Sequence, residues 1–269
     1  MTDRWNYLFS LNHLSFDVPY TQWRAHLPAP APAILAFGSM LLYCSLIFII
    51  FPAIAPVTEK AKSSFSKIAQ IHYQLLCFYS TFCFLSTLYH LVSSGEVYDF
   101  TKFMCDPIPG WLRIVSISFT LSKIWEWGDT MIDIFRGKTA QQIGFLHCYH
   151  HATTFALFLS VMNFPVGEKT GMLLNGFVHS LMYYHYAFRL PKQLRPLITL
   201  LQIVQLVSVT YLWHITPDTC VALKNFPNDH PVEFLMPYSM VPVYIIFFLI
   251  FFYQTYLAGP ALAKKNKVN

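Results

Sequence analysis

Residues 147–151 read HCYHH, three histidines within five positions of an otherwise apolar stretch. An imidazole can ligate a metal, move a proton near neutral pH, or attack a carbonyl and hold an acyl group. It can also be an ordinary polar side chain held by its neighbours. Three further sets of polar residues have helical spacing: Lys123, Glu126, Asp129 and Asp133; Asn175, His179, Met182, Tyr183 and Tyr186; and Thr199, Gln202 and Gln205. At 100° per residue, Glu126, Asp129 and Asp133 all lie within about 120° of Lys123, on one face. His147, His150 and His151 share a face in the same way.

These residues stand in a membrane protein. The chain has 269 residues, of which 55% are hydrophobic and 12% charged, with Phe at 25 positions. Soluble domains carry about 25% charged residues. A helix crossing a bilayer needs roughly 20 mostly apolar residues. Seven stretches qualify, near 32–55, 68–93, 111–134, 142–163, 168–188, 196–215 and 232–257. Proline, glycine and charge punctuate the joints between them, as in PVTEKAKSSFSK and RLPKQLRP. The expectation is an all-α integral membrane protein with seven transmembrane helices enclosing an apolar substrate tunnel. It forms one polytopic domain over 1–269, with an interfacial N-terminal segment (1–31) and a basic tail (258–269). The N-terminus lacks the basic start and long apolar run of a cleavable signal peptide.

Seven spans put the two termini on opposite sides. Lys60, Lys62, Lys67, Arg136, Lys138, Arg189, Lys192 and Arg195 fall on the side of the C-terminus. The positive-inside rule makes that side cytosolic and the N-terminus lumenal. Cys105 and Cys220 both fall in lumenal loops, where a disulfide is permitted. The C-terminal KKNKVN places Lys265 and Lys267 as in a dilysine signal for retrieval to the endoplasmic reticulum.

An ionisable residue within a span costs roughly 2.5–3.5 kcal/mol on insertion scales and marks a functional site by default. Counted from the cytosolic ends at about 1.5 Å per residue, the polar residues of four spans lie at similar depth. That alignment predicts a chamber in the cytosolic half. One H-x-x-H-H box invites comparison with the di-iron desaturases and hydroxylases of membranes. The remaining histidines are singletons, and the dinuclear site is poorly supplied, so no metal is expected. A mononuclear site stays open, as does a proton-coupled transporter, which would distribute polar residues over the full depth.

Four motifs in order then carry a resemblance. KIWEWGDT is similar to K-x-x-E-x-x-D-T, HCYHH to H-x-x-H-H, HSLMYYHY to H-x-x-M-Y-x-Y-Y and TLLQIVQ to T-x-x-Q-x-x-Q. Together they resemble the ELO family of very-long-chain fatty acid elongases over roughly residues 30–267. His185 stands where the third motif usually has tyrosine. The resemblance implies an acyltransferase, a very-long-chain 3-oxoacyl-CoA synthase. It condenses long-chain acyl-CoA with malonyl-CoA as co-substrate, releasing CO2 and CoA, with no bound cofactor. It implies an acyl-histidine intermediate, with His147 the leading acceptor and His150 or His151 the alternatives. His179 would act near the malonyl thioester, and Glu126 and Asp129 would orient histidines. Lys123 would balance them or meet CoA phosphate, with Asn175, Met182, Tyr183, Tyr186 and Gln202 on the substrate wall. The partners implied are acyl-CoA, malonyl-CoA, membrane lipid, and the reductases and dehydratase of the elongation cycle. No nucleic acid is expected, and homo-oligomerisation stays open. The context QIGFLHCYHH leans toward polyunsaturated chains, with Gly144 in place of serine.

Overall fold

A computed structural model describes residues 31–55, 58–162, 164–229 and 231–258. The larger part of the expected interfacial segment and of the basic tail, with Lys265 and Lys267, lies outside them. The described residues are helical, without strands. Their α-helices in chain order are α1 (Ala31–Ser45), α2 (Phe51–Ile54), α3 (Glu59–Ser93), α4 (Phe100–Cys105), α5 (Gly110–Trp125), α6 (Trp127–Phe135) and α7 (Ala140–Ile143). After these come α8 (Phe145–Val161), α9 (Pro165–Thr170), α10 (Gly176–Phe188), α11 (Arg195–Thr219), α12 (Phe226–Asp229) and α13 (Pro231–Phe252). A π-helical turn, Leu46–Ile50, joins α1 to α2, and another, Gly171–Asn175, joins α9 to α10.

Four helical stretches are long and apolar enough to cross a membrane: 34–54, 62–93, 192–219 and 231–258. They match four of the seven expected spans, and the chain is a multi-pass membrane protein. The stretches expected at 111–134, 142–163 and 168–188 are not among them. The first breaks at Glu126, between α5 and α6. The second breaks at Gly144, whose φ of 95° is a conformation that only glycine adopts without strain. The third is helical throughout 165–188, the π turn included, and Glu168, Lys169, Asn175, His179 and His185 leave it less apolar than the four. These are also the segments richest in chemistry-bearing residues, so charge and irregular backbone together interrupt the apolar run.

The helices close on one another. α3 packs along α10, α10 on α11, α11 on α13, α13 on α8, α8 on α5, and α5 with α6 back on α3. α1 lies against α8 outside this ring. Gly176 permits the tight α3–α10 approach, since a Cβ there would stand 3.2 Å from the Phe84 amide nitrogen and the Ser80 carbonyl oxygen. Lysines and arginines at 60–67, 136–138 and 189–195 mark one end of the bundle, here the basic end. At the other end a Cys105–Cys220 disulfide ties α4 to the end of α11. Beside it pack Met104, Phe164, Val166, Trp213 and Phe226.

Candidate active site

The ring lines a cavity of about 900 Å³, the solvent space at its opening included. Its polar wall includes Lys123 on α5, His150 on α8, Asn175 on the π turn, His179 on α10, and Gln202 with Gln205 on α11. The rest is mostly apolar, with Leu157, Phe158, Val161, Val166, Leu206 and Trp213 among the lining residues. His150 and Val161 are eleven residues apart on α8, as are Gln202 and Trp213 on α11. At 1.5 Å per residue the cavity therefore runs about 16 Å, from polar residues toward an apolar floor at the disulfide end.

The helices aim these side chains through their periodicity and their breaks. Lys123 is fully buried and donates to Glu126 Oε1 at 2.6 Å and Asn175 Oδ1 at 2.9 Å. Its ammonium also lies over the rings of Phe119 and Phe158. The i,i+3 spacing to Glu126 makes this an intrahelical charge pair, and the π turn brings Asn175 onto it. Glu126 Oε1 lies 3.5 Å from His179 Nδ1, a contact without hydrogen-bond alignment, while Glu126 Oε2 is buried with no hydrogen-bond partner among the described residues. Lys123 thus stands against one carboxylate, Glu126, at the cavity wall.

The box histidines diverge. His150 lines the cavity, with its ring 6.3 Å from that of His179 and 5.2 Å from that of Tyr244. His147 does not line it. Its Nε2 meets Thr130 Oγ1 at 3.0 Å, and Thr130 in turn meets the Tyr43 hydroxyl at 2.8 Å. His147 thus belongs to a chain of hydrogen bonds running outward to α1, and the reason is its position one helical turn from His150 toward the α6 side. His151 is buried, has its ring 4.3 Å from that of His147 at a tilt of 40°, and has Nε2 3.9 Å from Asp129 Oδ2. Its backbone carbonyl accepts from Trp127 Nε1 at 2.9 Å.

Asp129 is buried and held on both oxygens, by His72 Nε2 at 2.7 Å and the Tyr183 hydroxyl at 2.8 Å. Tyr183 is therefore a partner of Asp129 rather than cavity wall. Met182 and Tyr186 also stay off the wall. Met182 Sδ faces Gln202 Nε2 at 3.7 Å, and Tyr186 is half exposed against Tyr73 and Tyr183. Sequence reasoning missed Tyr43, His72, Thr154 and Tyr244. Thr154 and Tyr244 line the cavity, and Tyr244 pairs with Thr153. Thr154 follows His150 by one turn, a spacing that could have found it. Nothing in the local sequence pointed to the others. Among the described residues no group of three or more His, Cys, Asp or Glu is disposed to hold a metal.

A family model described as ELO: GNS1/SUR4 matches residues 31–265, which include every residue of this site. The chain belongs to the ELO family. Relatives of the family member include fatty acid elongase A of Dictyostelium discoideum, 25% identical over 245 residues that cover 87% of this chain and 86% of that protein. Very long chain fatty acid elongase 5 of Mus musculus is 29% identical over 83% of this chain and 76% of its own length. Very long chain fatty acid elongase 2 of Rattus norvegicus is 35% identical, but over 53% of this chain and 51% of its own length, so the match spans about half of that relative. The ELO assignment makes this chain an enzyme of fatty acid elongation.

Proposed function

We propose that this elongase condenses a long-chain acyl-CoA with malonyl-CoA, through an acyl group held on His150. The observation that carries the reading is the disposition of His150 and His179 on facing elements at the polar end of an otherwise apolar cavity. His150 takes the role first given to His147, because His147 is bonded to Thr130 away from the cavity. The neutral His150 imidazole attacks the acyl thioester, and CoA leaves as the thiol. Malonyl-CoA then loses CO2, and the electron pair left on its α-carbon attacks the acyl-imidazole carbonyl. The 3-ketoacyl-CoA departs, and the imidazolate left behind takes up a proton from solvent to restore neutral His150. His179 and Lys123 face the same space, where they stabilise the thioester enolate, the general use of preset dipoles and cations at a site of developing charge. The apolar stretch between Leu157 and Trp213 accepts the acyl chain.

The reading includes seven spans, residence in the endoplasmic reticulum and a cytosolic basic end. CoA thioesters enter from that end, where lysine and arginine favour anions. The reductases and dehydratase that complete elongation are expected neighbours. A transporter is less well supported, because one end of the cavity is apolar and packed beneath the disulfide.

The test is purified protein given labelled malonyl-CoA and a panel of acyl-CoA lengths. Labelled 3-ketoacyl-CoA is expected, and its absence across the panel sinks the reading. With labelled acyl-CoA alone, peptide mapping is expected to find the acyl group on His150. Label on His147 or His151 would return the role to them.

A further inference from the structure

His72 stands alone in the sequence, thirteen residues into α3 with no motif around it. In the structure it lies at the back of the site. An ionised carboxylate only accepts hydrogen bonds, so the 2.7 Å contact with Asp129 Oδ1 puts the proton on His72 Nε2. The Tyr183 hydroxyl holds the other oxygen, and that same oxygen faces His151 Nε2 at 3.9 Å. The His151 ring in turn meets the His150 ring edge to face at 5.4 Å. Asp129 therefore has its orientation set from two helices, α3 and α10, with its charge directed at the histidine pair.

A second observation concerns how His72 gets there. A Cβ on Gly128 would stand 2.7 Å from His72 Cε1 and 3.3 Å from Nε2. Cβ atoms do not approach that closely, so the ring occupies space left by a missing side chain. Glycine within a helical segment costs about 1 kcal/mol relative to alanine. Here the cost has a reason, since the residue before Asp129 must leave room for the ring that holds Asp129.

We propose that His72, admitted by Gly128, is a positioning residue for the condensation. It fixes Asp129 so that the carboxylate offsets the transient positive charge of the acyl-imidazolium on His150, before its N–H proton passes to the departing CoA thiolate. The proposal rests on the condensation reading. His72 does not line the cavity, so its loss acts on turnover and not on substrate binding.

The experiment is a kinetic cycle on purified full-length enzyme, with folded protein checked by size-exclusion profile and disulfide content. His72→Ala is expected to lower kcat roughly 10- to 100-fold, the scale of a small misplacement of a reacting group, with KM for both thioesters within about twofold. His72→Gln, whose amide nitrogen reaches about as far as Nε2, is expected to recover most of the loss. Gly128→Ala is expected to match His72→Ala in the wild-type background and to cost nothing further in the His72→Ala background. Wild-type kcat in His72→Ala, no recovery in His72→Gln, a parallel change in KM, or the same cost of Gly128→Ala in both backgrounds overturns the proposal. Absence of product from the wild type overturns the condensation reading itself, and an active wild type with an indifferent His72→Ala overturns this proposal alone.

Discussion

Two clusters of buried charge lie at opposite ends of the same helices, and they are built differently. Near the disulfide, Lys169 is fully buried and its ammonium has three acceptors: Glu96 Oε2 at 2.5 Å and the carbonyls of Lys102 and Phe103 at 3.0 Å each. Two of these contacts are hydrogen bonds to carbonyls, and the third is an ion pair with the carboxylate. Glu96 Oε1 also meets His90 Nε2 at 3.0 Å, and Glu168 Oε1 accepts from Arg113 at 2.7 Å and Ser116 at 2.9 Å. Toward the basic end, Lys123 uses two of its three N–H groups, and Glu126 Oε2, His151 Nδ1 and Thr154 Oγ1 are buried with no hydrogen-bond partner among the described residues. The first cluster pairs its charges with opposite charges within 3.0 Å, although His90 Nε2 and Glu96 Oε2 meet theirs without hydrogen-bond alignment, and it holds α4, α9 and the loop before α4 together. The second leaves donors and acceptors open beside a cavity. A buried polar group left open costs free energy. A site that must bind a polar substrate group keeps some open, and a structural pair has no such reason.

The sharpest way to break this comparison is to remove one residue from each end. His150→Ala is expected to lower condensation by roughly a thousandfold or more, as loss of a nucleophile does, with the thermal midpoint of the detergent-solubilised protein nearly unchanged. Retained turnover would end the assignment of His150. Lys169→Met is the opposite case. Removing one partner of a buried ion pair destabilises by about 3–5 kcal/mol, because the other charge is left unpaired. Denaturation monitored by tryptophan fluorescence should show that loss, while kcat per folded molecule stays near wild type. A stable but inactive Lys169→Met would place this cluster in the chemistry and erase the distinction. Next in size is Glu126→Gln, which keeps the shape and removes the charge. It is expected to lower kcat roughly tenfold or more while shifting stability little, the pattern of an interaction used in the transition state.

The helical, membrane-bound character of the chain was legible from composition, and so was the polar stripe of each segment. Helical periodicity put the polar residues of each segment on one face of that segment, and packing put Lys123, His150, His179 and Gln202 around one cavity. Cys105 and Cys220 were legible as a same-side pair. What was not legible depends on partners distant in sequence. His72 and Asp129 are 57 residues apart, and Tyr43 and Thr130 are 87 apart. A helical wheel ranks the three box histidines equally, because all lie on one side within about 100°. Only the packing of α8 between α6 and the cavity separates His147 from His150. The breaks at Glu126 and Gly144 were hidden by apolar neighbours that keep a hydropathy window high through an interrupted helix.

The smallest expected effect tests the outward branch from His147. The Tyr43 hydroxyl, on a helix outside the ring, holds Thr130 at 2.8 Å, and Thr130 holds His147 at 3.0 Å. Tyr43 is itself fully buried beside Trp127. Tyr43→Phe deletes one oxygen and keeps the ring. Thr130 retains a partner in His147, so no polar group is stranded, and the net worth of one such bond is about 1 kcal/mol. If α1 only buttresses the bundle, that loss should appear in stability alone, as a small drop in thermal midpoint with kcat unchanged. If His147 must hold one tautomer or tilt to support its neighbour His151, the loss should appear in kcat, as a fall of about fivefold that converts to the same 1 kcal/mol. The geometry favours the second outcome, since Thr130 is the one hydrogen-bond partner of the His147 ring among the described residues and the bond from Tyr43 fixes which way the Thr130 hydroxyl can turn. An unchanged kcat in Tyr43→Phe would assign His147 to the structural side of the comparison, despite its place in the histidine box.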